Sequence, residues 1–227
     1  MDFSVIVENL PFFMKGLKVT LELTLWTLVG GLILGTPLAL ARDARATLPR
    51  YLSIGLIEII RGSPILMLIF WVYFLLPRVT NSAIDAYTAG LVALIVFNAA
   101  YSAEIIRAGI QSVDHGNLEA GRASGLNWLQ IVGHIVLPQA FSNMKPALMS
   151  QVVMVYKTTS LVFIIGVIDL FRAATIVNNR EFKSFEIYIF VALVYLIPST
   201  IVSRWSRAME MRRANRVGLA RALKYEG

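Results

Sequence analysis

The sequence predicts an all-α integral membrane protein with five transmembrane helices, and three observations predict it. Of 227 residues, 57% are hydrophobic and only 15% are charged. The apolar residues gather into long runs instead of repeating on one face every few positions. Five of these runs reach the ~20 residues that a helix needs to cross ~30 Å of hydrocarbon. Lipid offers no hydrogen bonds to exposed peptide groups, so each crossing must be helical.

The five runs cover residues 17–41, 52–76, 87–106, 148–170 and 185–203. In the first, Gly31 and Gly35 form a G-x-x-x-G pair that clears one stripe of side chains and lets a second helix backbone approach. This run is longer than the ~7–15 residues of a signal-peptide core and begins well into the chain. It is therefore expected to be an uncleaved span, although Ala39-Leu40-Ala41 has the form of a cleavage site. Pro49 and Pro77 are expected to punctuate the first connections, and Pro138 and Pro146 to break the long third one, because proline lacks the amide that a continuing helix needs. An odd number of crossings places the termini on opposite sides. Thirteen Lys and Arg residues fall on one side, namely Arg42, Arg45, Arg50, Arg107, Arg122, Lys145 and the seven from Arg204 to Lys224; six fall on the other. The positive-inside rule then puts the N-terminus outside and the C-terminus in the cytoplasm.

Composition also excludes chemistry. There is no cysteine, and the only histidines are His115 and His134, so disulfides, thiolate metal sites and cysteine nucleophiles are ruled out and a histidine metal site is not expected. The net charge of +7 is accounted for by basic loops on the cytoplasmic side, with no nucleic-acid partner. The tail 209–227 is read as a solvated basic helix end, with contact to anionic membrane lipid as the sharper alternative.

Between the third and fourth runs, residues 109–145 form a connection far beyond the ~12–15 residues at which loops begin to carry structure or function of their own. Glu119, Ala120, Arg122 and Ala123 read as a short helix, and Gly125 suits a sharp turn. Trp128 to Val136 reads as a second helix that ends before Pro138.

Glu119-Ala120-Gly121, then Gly125, then nine residues, then Ile135-Val136-Leu137-Pro138 resembles the E-A-A…G…I-x-L-P loop of the permease subunits of binding-protein-dependent ABC importers. Gly121 departs from the usual second alanine, a change that loosens a helix by ~1 kcal/mol. Arg61-Gly62-Ser63-Pro64 is similar to the R-G-T-P segment of the polar amino acid branch of that family. Ala100-Tyr101-Ser102-Ala103-Glu104-Ile105-Ile106-Arg107 resembles its A-Y-x-x-E-x-x-R segment, and Lys157-Thr158-Thr159-Ser160-Leu161 its K-D-T-S-L, with Thr158 replacing aspartate. The resemblance covers nearly the whole chain as one transmembrane domain of the type I, MetI-like kind. It implies that Glu119, Ala120, Gly121, Gly125, Ile135, Leu137 and Pro138 dock and couple to a separate ATPase. It also implies a second permease subunit, identical or paralogous, and an extracytoplasmic substrate-binding protein.

Charges at bilayer depth cost at least ~2.5–3.5 kcal/mol each, so Arg61, Glu104 and Lys157 are informative. In one reading, Arg61 and Lys157 line or support a translocation cavity with the Thr158, Thr159 and Ser160 hydroxyls, while Glu104 neutralises a nearby cation or holds a helix interface. In the other, all three are structural ion pairs near span ends. Without the aspartate at Thr158, the cavity is biased toward acidic or neutral amino acids such as glutamate, aspartate or glutamine. The chain has no glycine followed by lysine, hence no P-loop, so it is expected to bind no cofactor itself; ATP and Mg²⁺ belong to the partner ATPase. The alternatives are a passive channel and an intramembrane enzyme built on Glu58, Glu104 or Asp169, which lacks a paired acid and nucleophile at workable spacing.

Overall fold

The computed structural model describes residues 2–44 and 46–225, with side chains through Met211. Arg45 and the basic side chains of the tail beyond Met211 lie outside the described residues. Every described element is helical. A short α1 (Ser4–Glu8) leads into α2 (Leu10–Arg42), α3 (Thr47–Gly62), α4 (Ile65–Thr80) and α5 (Ala86–Gln111). The long connection carries α6 (His115–Ala123) and α7 (Trp128–Ile131), after which a π turn, Val132–Val136, opens into α8 (Leu137–Thr158). A 3-10 segment, Thr159–Ile165, precedes α9 (Leu170–Glu181) and α10 (Ser184–Tyr225).

Four stretches are long and apolar enough to cross a membrane: Leu10–Arg42, Ala86–Gln111, Trp128–Ile165 and Ser184–Met211. The helices α3 and α4 reach that length and apolarity only as a pair, bent by 108° where they meet, which makes them a broken span or a re-entrant loop. The expectation of one continuous helix over 52–76 is therefore corrected. Pro64 restricts Ser63 to extended backbone (φ −90°, ψ 141°), and the helix cannot pass through it. The fourth run is also corrected. Its α-helix ends at Thr158, tightens to 3-10 geometry, and stops at Gly166, whose φ of +94° favours glycine.

Proline acts less as a stop than expected. Pro49 lies in the first turn of α3, where its missing N–H has no helical partner to lose. Pro77 and Pro146 lie inside α4 and α8. Pro138 occupies the first turn of α8, and the π turn before it carries the chain onward, so α7 does not end in a break before Pro138.

The core of the bundle is the seam between α2 and α5, and the glycines of α2 make it. A Cβ on Gly31 would lie 2.1 Å from Asn98 Nδ2, and one on Gly35 would lie 2.8 Å from the Ala99 carbonyl oxygen. The seam is bonded as well as packed. Asn98, 1% exposed, donates from Nδ2 to the Thr27 carbonyl at 3.0 Å. Gln151 of α8 donates to Asn98 Oδ1 at 2.5 Å and to Ser102 Oγ at 2.9 Å, which locks a third helix to the first two. Buried amides bonded in this way fix register, since sliding would strand their N–H donors.

Candidate functional site

The chemistry-bearing residues fall into three places. The first is the connection between α5 and α8. Asp114 caps α6 by accepting from Gly116 N at 2.9 Å, and Asn127 and Gln130 form a reciprocal capping box at the start of α7. Between them Gly125 takes φ +76°, which allows the corner. Gly121 is the buried residue of α6: a Cβ there would lie 2.6 Å from Ile135 Cδ1, so the missing methyl lets α6 settle on the π turn. Asn117 donates to Gln139 Oε1 at 3.0 Å and Asn143 to Ser112 Oγ at 2.5 Å, which tie α6 and the end of α5 to the root of α8. Glu119, Ala120, Leu137 and Pro138 remain exposed, with Ile135 partly covered. Trp128 and Leu129, at the start of the stretch Trp128–Ile165, are 62% and 80% exposed and form an apolar face there. Sequence reasoning missed this pair; the available signal was two large apolar residues directly after the capping Asn127.

The second place is a charge cluster where α2, α3 and α5 converge. Glu104 accepts from Arg42 Nη1 at 2.6 Å and from Arg107 Nη2, and Arg61 Nη1 stands 3.5 Å away. The Arg61 guanidinium also lies over the Tyr101 ring, 5.3 Å from its centroid. One carboxylate thus gathers three guanidinia from three helices. Arg42 was counted only as a loop charge in the sequence; the Glu104–Arg107 contact was readable from spacing, because residues i and i+3 share a helix face.

The third place is a cavity of about 310 Å³ beside the end of α8, lined by Lys157, Ser160, Phe171, Tyr188 and Tyr195 among others. Arg61 is not part of it. Thr158 and Thr159 direct their hydroxyls to the Met154 and Tyr156 carbonyls at 2.7 and 2.8 Å, and Thr159 is fully buried. Ser160 Oγ donates to the Lys157 carbonyl at 2.7 Å, keeping its lone pairs for the cavity. These three bonds satisfy carbonyls as the α-helix tightens to 3-10 geometry. Among the described residues no group of three or more His, Asp or Glu is placed to hold a metal ion.

Residues 29–215 match the model of the family described as binding-protein-dependent transport system inner membrane component. The probable glutamine ABC transporter permease protein GlnM of Bacillus subtilis is 36% identical over 197 residues, covering 87% of this chain and 91% of its own. The glutamate/aspartate import permease protein GltK of Escherichia coli O6:H1 is 33% identical over 209 residues, covering 89% and 93%. A crystal structure of an amino acid ABC transporter with histidines superposes with a TM-score of 0.85 at 34% identity, covering 93% of this chain and 99% of that one. With its four or five candidate crossings and the match extending across most of its length, this chain belongs to the family of binding-protein-dependent transport system inner membrane components.

Proposed function

We propose that this chain is the membrane-spanning permease subunit of an ATP-driven importer for polar amino acids, coupled to its ATPase through the loop from Glu119 to Pro138. The observation that carries the reading is the architecture of that loop. Two short capped helices meet at a positive-φ glycine, are tied to the root of α8 by the Asn117–Gln139 bond, and present exposed Glu119, Trp128 and Leu129. A braced apolar and acidic face at the arginine-rich end of the bundle is suited to a groove on another protein. Its rigid base can pass displacement into the crossings.

The loop lies at the same end as Arg42, Arg61 and Arg107, the arginine-rich side, which favours a cytoplasmic loop with the N-terminus outside and the C-terminus inside. Two permease subunits, identical or paralogous, enclose the pathway between them, and each docks one ATPase that binds ATP and Mg²⁺. An extracytoplasmic binding protein delivers substrate to the other face. ATP binding closes the ATPase pair and turns the cavity outward; hydrolysis resets it. The shift is limited to the differential affinity of the nucleotide for the two states. Lys157 and the absence of an acid at Thr158 favour acidic or neutral substrates, glutamate, aspartate or glutamine, over basic ones.

The test is ATP-driven uptake of labelled glutamine and glutamate by vesicles that carry the assembled complex. Glu119→Lys abolishes uptake while the amount of inserted permease is unchanged. Undiminished uptake removes the coupling assignment, and arginine or lysine outcompeting glutamate and glutamine removes the charge preference.

A further inference from the structure

The helix α3 presents three faces. Ser53, Ile57 and Ile60 turn to the bundle and are buried. Leu48, Leu52, Leu56 and Ile59, at helical spacing i, i+4, i+8 and i+11, share a second face and are 47% to 71% exposed. Arg50, Glu58 and Arg61 share the third, on roughly the opposite side from the leucines, and are exposed as well. Tyr51 stands on the border between these two, where an interfacial aromatic belongs.

The course of α3 follows from what it touches. Ser53 Oγ donates to the Leu38 carbonyl at 2.7 Å, one turn before α2 ends at Arg42. If α3 ran back up beside α2 from there, Arg61 would come level with Gly30, since both helices rise 1.5 Å per residue. Instead Arg61 Nη1 stands 3.5 Å from Glu104 Oε2, the atom that accepts from Arg42. Ile57 and Ile60 lie in one cluster with Ala39 of α2 and with Ala103 and Ile106 of α5. Both ends of α3 are thus held near the depth at which α2 ends, and the helix lies across the foot of the bundle. From there α4 climbs alone, with Ile69 packed among Ala93 and Leu94 of α5. Its 16 residues span about 24 Å. A helix whose apolar face sits ~5–10 Å below the headgroups leaves ~20–25 Å of hydrocarbon, which α4 covers. A climbing α3 would turn the exposed Glu58 carboxylate toward acyl chains, a cost that lying flat removes.

We propose that α3 is an in-plane amphipathic helix seated in the leaflet at the arginine-rich end, with Leu48, Leu52, Leu56 and Ile59 on acyl chains and Arg50 and Arg61 on the headgroups of anionic phospholipid. Charge selects the lipid. The junction of α2, α3 and α5 sets three guanidinia against Glu104, and Asp43, joined to Arg107 through Gln111, still leaves positive charge in excess. The lipid surface then fixes the depth of the elbow at Gly62-Ser63-Pro64 from which α4 departs. Only the choice of leaflet rests on the proposed cytoplasmic placement of the arginine-rich end.

The chain has no cysteine, so a single introduced one can be labelled alone. The assembled complex, its other chains free of cysteine, is spin-labelled at Leu48→Cys or at Ile59→Cys in vesicles. Depth is read from the balance of collisions with oxygen and with a water-soluble nickel chelate. The two labels are expected within about 4 Å of one depth, whereas a climbing helix separates them by about 16 Å, which overturns the proposal. Labels shielded from both reagents show a face covered by protein and overturn it as well. In mixed vesicles, a fluorophore at Leu52→Cys is quenched by brominated phosphatidylglycerol or brominated phosphatidylcholine. The anionic lipid is expected to be enriched about fivefold at this site, the scale set by one basic side chain near a charged surface. Arg50→Gln with Arg61→Gln brings the two lipids to within about twofold while both label depths stay unchanged. No enrichment in the chain with both arginines, or enrichment that survives their replacement, overturns the proposal. Reaction of Glu58→Cys with an impermeant thiol reagent added outside intact cells overturns the cytoplasmic placement instead.

Discussion

At Gly35 a hydrogen does what no other side chain can. A methyl group there would meet the Ala99 carbonyl oxygen at 2.8 Å and the Ala103 amide nitrogen at 3.0 Å, both backbone atoms that cannot rotate away. Gly35→Ala is expected to destabilise the folded permease by about 1–3 kcal/mol, the usual cost of forcing a methyl into packed structure. Thermal unfolding of the detergent-solubilised protein measures it. Gly121 differs in kind, because what a methyl would meet there first is the far end of the flexible Ile135 side chain. The G-x-x-x-G pair was legible as a stripe, but the helix it faces was not, since the identity of the partner depends on how distant segments fold back. Asn98 and Gln151 carried no signal of their own. Their meaning comes from meeting across 53 positions of chain. At the chain's start, the hydrogen bond from Lys183 Nζ at 2.6 Å, with that from Ser4, holds the Asp2 carboxyl well below the usual carboxylate range. A depressed folded value contributes stability above the unfolded value of ~3.9 and loses it as pH falls through the folded one. Amide exchange in α1, corrected for its intrinsic rate, should stay flat at neutral pH and accelerate only below about pH 4.

Among the elements, the junction of α2, α3 and α5 depends on one acid. Glu104→Gln leaves Arg42 and Arg107, about a fifth exposed, facing each other and Arg61 without a carboxylate. We expect a loss of roughly 1–3 kcal/mol, less than the ~3–5 for breaking a fully buried pair because water still reaches the cluster. A chemical-denaturation curve followed by a probe on α3 checks it. Element existence was readable from run length, since the cost of exposing peptide groups to lipid admits no other structure. Element ends were not. The expectation that proline would stop helices ignored the tolerance of first turns for a missing amide and the ability of a π turn to carry the chain forward. The 108° bend at Gly62-Ser63-Pro64 was hidden because hydropathy averages over a window and sees no direction.

For the whole molecule, composition and the loop chemistry of Glu119 to Pro138 pointed to the family, and the match over residues 29–215 agrees. The loop was legible because its residues are close in sequence and chosen for shape. The cavity near Lys157 was legible only in part, because it is assembled from the end of α8, the start of α9 and the first turns of α10. Much of the remaining surface is apolar, with Leu21, Trp26 and Ile33 of α2 among the exposed large side chains. In a crossing helix such residues face lipid or a partner subunit.

The side-chain-free stripe along α2 denies the bundle one freedom. Its backbone lies so near that of α5 that neither rod can creep along the other by a single residue without collision. The two therefore travel as a keel whenever the subunit rocks. Displacement passes to the limbs hung from that keel, the elbow between α3 and α4 and the widened root of α8. Paired labels on α2 and α5 keep a constant spacing through the transport cycle.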